Sequence, residues 1–208
     1  VSGSLDFGTR TETKRSVVTE IAATLAFSAI QNNDKIGVVL FSDKIEKYIP
    51  PKKGRKHILY IIHELLDFHP QRQQSRRTDI SCVLEFLVGA MKRRCTAFLI
   101  SDFYSRKDFD KEMVICSKKH DMVALQVYDP FAKSLPDVGL VKVCDLETGH
   151  EMYIDTSDKK LRRAHADYWS SRQKTLDVLF KKTNVDNVSI ATNEDYVSSL
   201  LSLFKMRA

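Results

Sequence analysis

Glycine and proline are scarce in this chain, 7 and 5 among 208 residues. With 43% hydrophobic and 29% charged residues, that leaves an ordinary globular composition rather than a low-complexity one. Long apolar runs are missing too, since none approaches the roughly 18 residues of a membrane span. The 4 cysteines, Cys82, Cys95, Cys116 and Cys144, lie far apart without a C-x-x-C pair. Their spacing excludes the usual structural zinc pattern. Cys95 and Cys116 sit in apolar surroundings, where a buried free thiol is expected, so a reducing, cytoplasmic setting fits. No P-loop, G-x-G-x-x-G or Ser/His/Asp order is present, which removes the common nucleotide and serine-hydrolase signatures. His57, His63 and His69 are not spaced i, i+4, so they read as surface histidines rather than ligands.

Charge is abundant but dispersed. A net charge of +6 and a pI near 9.1 permit nucleic-acid binding. The basic residues nevertheless fall in separate groups, such as Lys52-Lys53-Gly54-Arg55-Lys56, Lys92-Arg93-Arg94 and Lys181-Lys182. Most lie at expected helix ends or on solvated faces. None alternates with aromatics as a stacking platform would require. A nucleic-acid adaptor is therefore a minor reading, and it carries its own signature, a steep loss of affinity with salt.

The periodicity alternates between helix and strand. Thr11 to Gln31 predicts a helix with Val17, Val18, Ile21, Ala22, Leu25, Ala26, Ala29 and Ile30 in register. Lys35 to Phe41 predicts a strand buried on both faces, and 44–49 an edge strand ended by Pro50-Pro51. Arg55 to Phe68 predicts a helix with Ile58, Leu59, Ile61, Ile62, Leu65 and Leu66 inward. A polar loop, 69–77, leads to a helix from Asp79 to Arg94, which Asp79 can cap. Cys95 to Ser101 predicts a second buried strand, 109–120 a helix and Met122 to Tyr128 a third strand. Leu140 to Cys144 and His150 to Ile154 flank Glu147-Thr148-Gly149 and predict a β-hairpin. A long charged helix over 157–182, a strand over 187–191 and a helix over 194–205 complete the chain. The alternation implies a doubly wound α/β sheet of mainly parallel strands.

One constellation carries chemistry. Ser2 and Ser4 bracket a glycine turn and can aim two hydroxyls at one point. Thr78 precedes a helix, and Asp102 stands at the carboxyl end of Cys95 to Ser101. Binding at that strand end is the habit of open parallel α/β sheets. Hard divalent cations take oxygen ligands of these kinds. Asp6, Asp43 and Asp79 are the further carboxylates the sequence can offer near a metal, each with a duller explanation as a cap or turn residue. A metal-assisted phosphoester hydrolase is the enzyme alternative.

The set resembles the metal-ion-dependent adhesion site of von Willebrand factor A domains, whose first motif reads Asp-x-Ser-x-Ser. Ser2 and Ser4 match its serines, Thr78 its threonine and Asp102 its second aspartate. The context Ser-Gly-Ser-Leu-Asp-Phe-Gly, then Gly37-Val38-Val39-Leu40-Phe41-Ser42-Asp43 and Ser101-Asp102-Phe103, resembles a bacterial branch of unassigned function. Genes of that branch commonly neighbour MoxR-type AAA+ ATPases. The resemblance implies one domain over 1–208, with a hairpin insertion at about 139–156, lacking its first central strand and the motif's leading Asp. It implies Mg²⁺, or Mn²⁺ or Ca²⁺, in the whole protein, weakly held or absent in this stretch. It also implies a non-enzymatic interaction module whose partner supplies an acidic side chain, either a MoxR-type ATPase or its client. A sheet without its central strand exposes edges that invite pairing with a second copy.

Overall fold

The computed structural model describes residues 14–68, 78–105, 107–144 and 151–207. A three-stranded parallel sheet forms its centre, in the order β3 (Thr96–Ser101), β4 (Asp121–Tyr128), β7 (Asp186–Ala191). Two antiparallel pairs stand apart from it: β1 (Ile36–Phe41) with β2 (Ile45–Lys52), and the hairpin β5 (Leu140–Cys144) with β6 (Glu151–Asp155).

Strand alternation dictates the two cores. Phe98 and Ile100 of β3, with Val123, Leu125 and Val127 of β4, face one side. There they meet Val17 and Ile21 of α1 (Lys14–Gln31) and Leu200 and Leu203 of α7 (Tyr196–Arg207). Ala97, Leu99, Met122 and Ala124 face the other side. They meet α3 (Ile80–Ala90), α4 (Asp110–Lys119) and α6 (Lys159–Thr183) through Leu84, Met113 and Phe180. β4 is buried along nearly its whole length, as a strand covered on both faces must be. The expected doubly wound α/β architecture is therefore the one observed.

No described strand stands between β1 and β3. Each has a single hydrogen-bonded neighbour, yet Val39 and Phe41 pack into the same cluster as Ala97 and Leu99. Among the described residues, the β1–β2 pair and the parallel sheet thus share one hydrophobic core.

Several local expectations need correcting. β1 is not buried on both faces along its length: only Leu40 and Phe41 are buried. Pro50-Pro51 does not end β2, which continues to Lys52. An edge strand tolerates proline where no ladder donor is needed, and a register shift lies opposite, between Ile36 and Val38. In α2 (Arg55–Asp67), Ile58 and Ile61 are buried, whereas Leu59 and Leu66 are exposed. Those two lie a helical step away from the stripe at 58, 61, 62 and 65. His57 is not a surface residue, since its ring bonds the Ile36 carbonyl at 3.0 Å and joins α2 to β1. α3 ends at Ala90, short of the expected Arg94.

Between β4 and the hairpin lies a single helical turn, α5 (Pro130–Lys133). The hairpin is fixed at its base by buried Thr156. Its Oγ1 accepts from Val138 N–H at 3.0 Å and donates to the Gly139 carbonyl at 2.6 Å. Gly139 has φ 76, a region that glycine enters without steric cost.

Candidate metal centre

The carboxyl ends of β1 and β3 meet at the segment that opens α3. Past β1, the buried Ser42 hydroxyl donates to Glu46 Oε1 at 2.5 Å, and its carbonyl accepts the Asp79 N–H at 2.9 Å. Asp79 then starts the helix: its Oδ1 accepts from Cys82 N–H at 3.4 Å, and its Oδ2 takes the Lys107 ammonium. This is the cap expected from sequence. Ser105, in the loop after β3, places its Oγ 3.0 Å from the Lys107 carbonyl and 3.5 Å from that of Thr78. Three stretches distant in sequence, 42–46, 78–79 and 102–107, are therefore joined by hydrogen bonds.

The loop after β3 is tightly constrained. Ser101 Oγ accepts the Phe103 N–H at 3.1 Å, and Asp102 Oδ1 accepts the Tyr104 N–H at 3.0 Å. Phe103 adopts φ 55, a left-handed conformation costing a non-glycine residue about 1–2 kcal/mol. Its fully buried ring compensates, packing edge-on to Phe180 at 5.3 Å and tilted against Phe109 at 6.3 Å. Burial of a phenylalanine contributes about 1.5–3 kcal/mol. From α6, Arg172 donates to the Phe103 carbonyl and lays its guanidinium 4.5 Å over the Tyr104 ring.

Asp102 is buried, and so is its ionic partner. Lys14 of α1 brings its Nζ to 3.4 Å from Asp102 Oδ2, with side-chain exposures of 7% and 6%. Dehydrating two charges is expensive, and their attraction offsets it only in part. Removing one partner strands the other, which typically costs about 3–5 kcal/mol.

Of the residues expected to hold metal, Ser2 and Ser4 lie outside the described residues, as does Asp6. Ser105, three residues after Asp102, has its Oγ 3.5 Å from the Thr78 main-chain carbonyl. Asp43 is exposed and accepts from the Ser42 hydroxyl at 3.2 Å, and Asp79 is engaged as cap and ion-pair acceptor. Among the described residues, no group of three or more His, Cys, Asp and Glu side chains is disposed to hold a metal ion. A site here would draw on hydroxyls and one carboxylate, donor types that suit a hard cation. They fit one on the condition that Asp102 Oδ2 is shared with, or released by, Lys14.

The thiols of Cys82, Cys95 and Cys116 do not contribute charge. Burial pushes Cys116 up to about 11 and also raises Cys82 and Cys95. Protonated thiols are poor ligands at neutral pH.

Sequence reasoning missed Lys14, Ser105, Lys107 and Arg172. For two of them a signal existed. Lys14 is in helical register with Val17, Val18, Ile21 and Leu25, and Arg172 with Leu176, Leu179 and Phe180. A long cation on an apolar stripe needs a buried acceptor.

Fold and rim together define an α/β chain of doubly wound type with a polar cluster at the carboxyl ends of its strands. The chain belongs to the DUF58 family of proteins of unknown function, whose model matches residues 1–175. Similar proteins include uncharacterised ones from Mycobacterium tuberculosis and Mycobacterium bovis, each 26% identical over 210 residues. Those matches take in all of this chain and 65% of each relative, so the chain spans just under two thirds of their length. Among solved structures, BatB from Bacteroides thetaiotaomicron, a conserved hypothetical protein, superposes with a TM-score of 0.66 at 12% identity. That match covers 100% of this chain and 93% of BatB. An aerotolerance-related membrane protein from Bacteroides fragilis, with multiple mutations to serines, gives 0.65 at 14% identity, covering 99% and 95%. At such identities the likeness concerns the fold. Among the described residues no helix is long and apolar enough to cross a membrane.

Proposed function

We propose that this chain forms most of a protein-docking module that recognises an acidic side chain through a Mg²⁺-type ion. Ser2, Ser4, Thr78 and Asp102 would hold that ion, with the remaining ligands from elsewhere in the whole protein. Mg²⁺, Mn²⁺ and Ca²⁺ all accept such oxygen donors. The ion would supply an open coordination position, and a partner's carboxylate reaches it only where the two surfaces fit. The observation that carries the reading is the joining of Ser42, Thr78-Asp79 and Asp102–Ser105 at one rim. Resemblance to the branch encoded beside MoxR-type AAA+ ATPases suggests such an ATPase, or its client, as partner, on the cytoplasmic side.

Binding between the whole protein and the MoxR-type ATPase encoded nearest to it is the test. Chelator should abolish it, excess Mg²⁺ should restore it, and Asp102→Asn should weaken it at least tenfold. Raising salt from 50 to 200 mM should change it little. Binding that ignores chelator but falls a thousandfold with that salt step would instead indicate a phosphate-backbone partner and would reject the reading.

A further inference from the structure

We infer that Lys14 is the resident cation of this rim: its ammonium neutralises Asp102 and must leave Oδ2 before a divalent ion can take it. The inference rests on the metal-docking reading and adds a specificity-determining residue to it. Three observations point the same way: the burial of Lys14, the division of the Asp102 oxygens and the contrast with Lys107.

Lys14 shares the α1 face that carries buried Val17 and Ile21. Lysine stems do cover apolar surface, but the ammonium ordinarily returns to water. Here it is buried.

The acceptor is equally specific. Asp102 Oδ1 is engaged by the Tyr104 N–H, and Oδ2 is the oxygen that faces Lys14. The Asp102 carboxylate therefore divides its two oxygens between loop geometry and cation binding. A divalent ion sharing Oδ2 with the ammonium would meet like-charge repulsion in a water-poor setting, where charges interact more strongly than in bulk water. The other buried carboxylate of the rim, Asp79, has its own ammonium in Lys107, whose side chain is 72% exposed. Lys107 can therefore exchange with water, whereas the Lys14 side chain is buried.

The physical consequence is an exchange between two cations. Without metal, Lys14 satisfies Asp102 and the rim is preorganised. With metal, the ammonium swings away on its four-carbon stem, and metal affinity is reduced by whatever the Lys14–Asp102 pair contributes. The site then takes up metal only at concentrations that outcompete an internal ligand, which sets a threshold for docking.

The test uses Mn²⁺ as probe, titrated into the whole protein and followed by the electron paramagnetic resonance of the free ion. Lys14→Met is expected to bind Mn²⁺ at least tenfold more tightly than wild type, and Lys14→Arg to remain within about threefold of it. In parallel, metal-free Lys14→Met should melt below wild type, and saturating Mn²⁺ should raise its Tm by more than it raises that of wild type. Lys14→Gln, neutral but still able to donate to Asp102, should shift in the same direction and keeps the test decisive if Lys14→Met does not fold. Equal or weaker Mn²⁺ binding in the neutral variants overturns the assignment. If wild type loses Mn²⁺ on Asp102→Asn while the neutral variants gain nothing, only the role of Lys14 falls. If Mn²⁺ uptake ignores Asp102→Asn in both wild type and Lys14→Met, the metal reading falls with it.

Discussion

Replacing Phe103 by alanine and, separately, by glycine separates two opposing contributions at the loop that aims Asp102. The ring is fully buried between Phe109 and Phe180, so either variant loses about 3–5 kcal/mol through transfer and cavity terms. The backbone at φ 55 distinguishes them. Alanine keeps the left-handed penalty of about 1–2 kcal/mol. Glycine escapes it but loses about 0.4–1 kcal/mol to the greater freedom of its unfolded chain. The balance favours Phe103→Gly over Phe103→Ala by roughly 0.5–1 kcal/mol, the reverse of the order at an ordinary strand or helix position. Urea unfolding of the whole protein, comparing midpoints at constant slope, measures that difference. Phe103→Ala proving the more stable by 0.5 kcal/mol or more would refute the left-handed turn, and with it the geometry that presents Asp102.

Two further outcomes follow from the same packing. Arg172→Met removes a charged hydrogen bond of about 1.5–3 kcal/mol and a ring contact of about 0.5–2 kcal/mol. It also relieves the buried Arg172 Nε, which has no hydrogen-bond partner; the net loss should be about 1–2 kcal/mol, with a shift in Trp169 emission as α6 loosens over the loop. Burial lowers the pKa of His120 below its ordinary 6.5, so the unfolded chain takes up the proton first and stability falls as pH drops below about 6.5, by at most about 1.4 kcal/mol per pH unit. His120→Leu should flatten that slope between pH 6.5 and 5, read from thermal melts; an unchanged slope would mean that His120 does not contribute it.

Much of the fold was legible because its signals are local and strong. The valine- and leucine-rich run Met122–Tyr128 could hardly be anything but a buried strand, and Asp79 announced the start of α3. What failed depended on neighbours. β1 looked doubly buried by composition, yet how many strands flank it is a tertiary property. Pro50-Pro51 looked like a terminator, yet the two prolines fall between the paired residues Ile49 and Lys52, where the ladder with β1 shifts register. At the rim, the placement of Asp102 just after β3 and of Thr78 just before α3 was readable from the pattern of elements. Lys14 and Arg172 were not singled out, because charge on a helix is ordinarily a solvated face. Only their register with buried neighbours marks them as pointing inward.

The most direct measurement of the central claim is an anomalous difference map from crystals of the whole protein soaked in Mn²⁺. A peak is expected bounded by the Thr78 hydroxyl and the Asp102 carboxylate, at the rim where Asp79 is hydrogen-bonded to Ser42 and Ser105 to the Thr78 carbonyl. A strong peak at other carboxylates, with Lys14 still seated on Asp102, would contradict it.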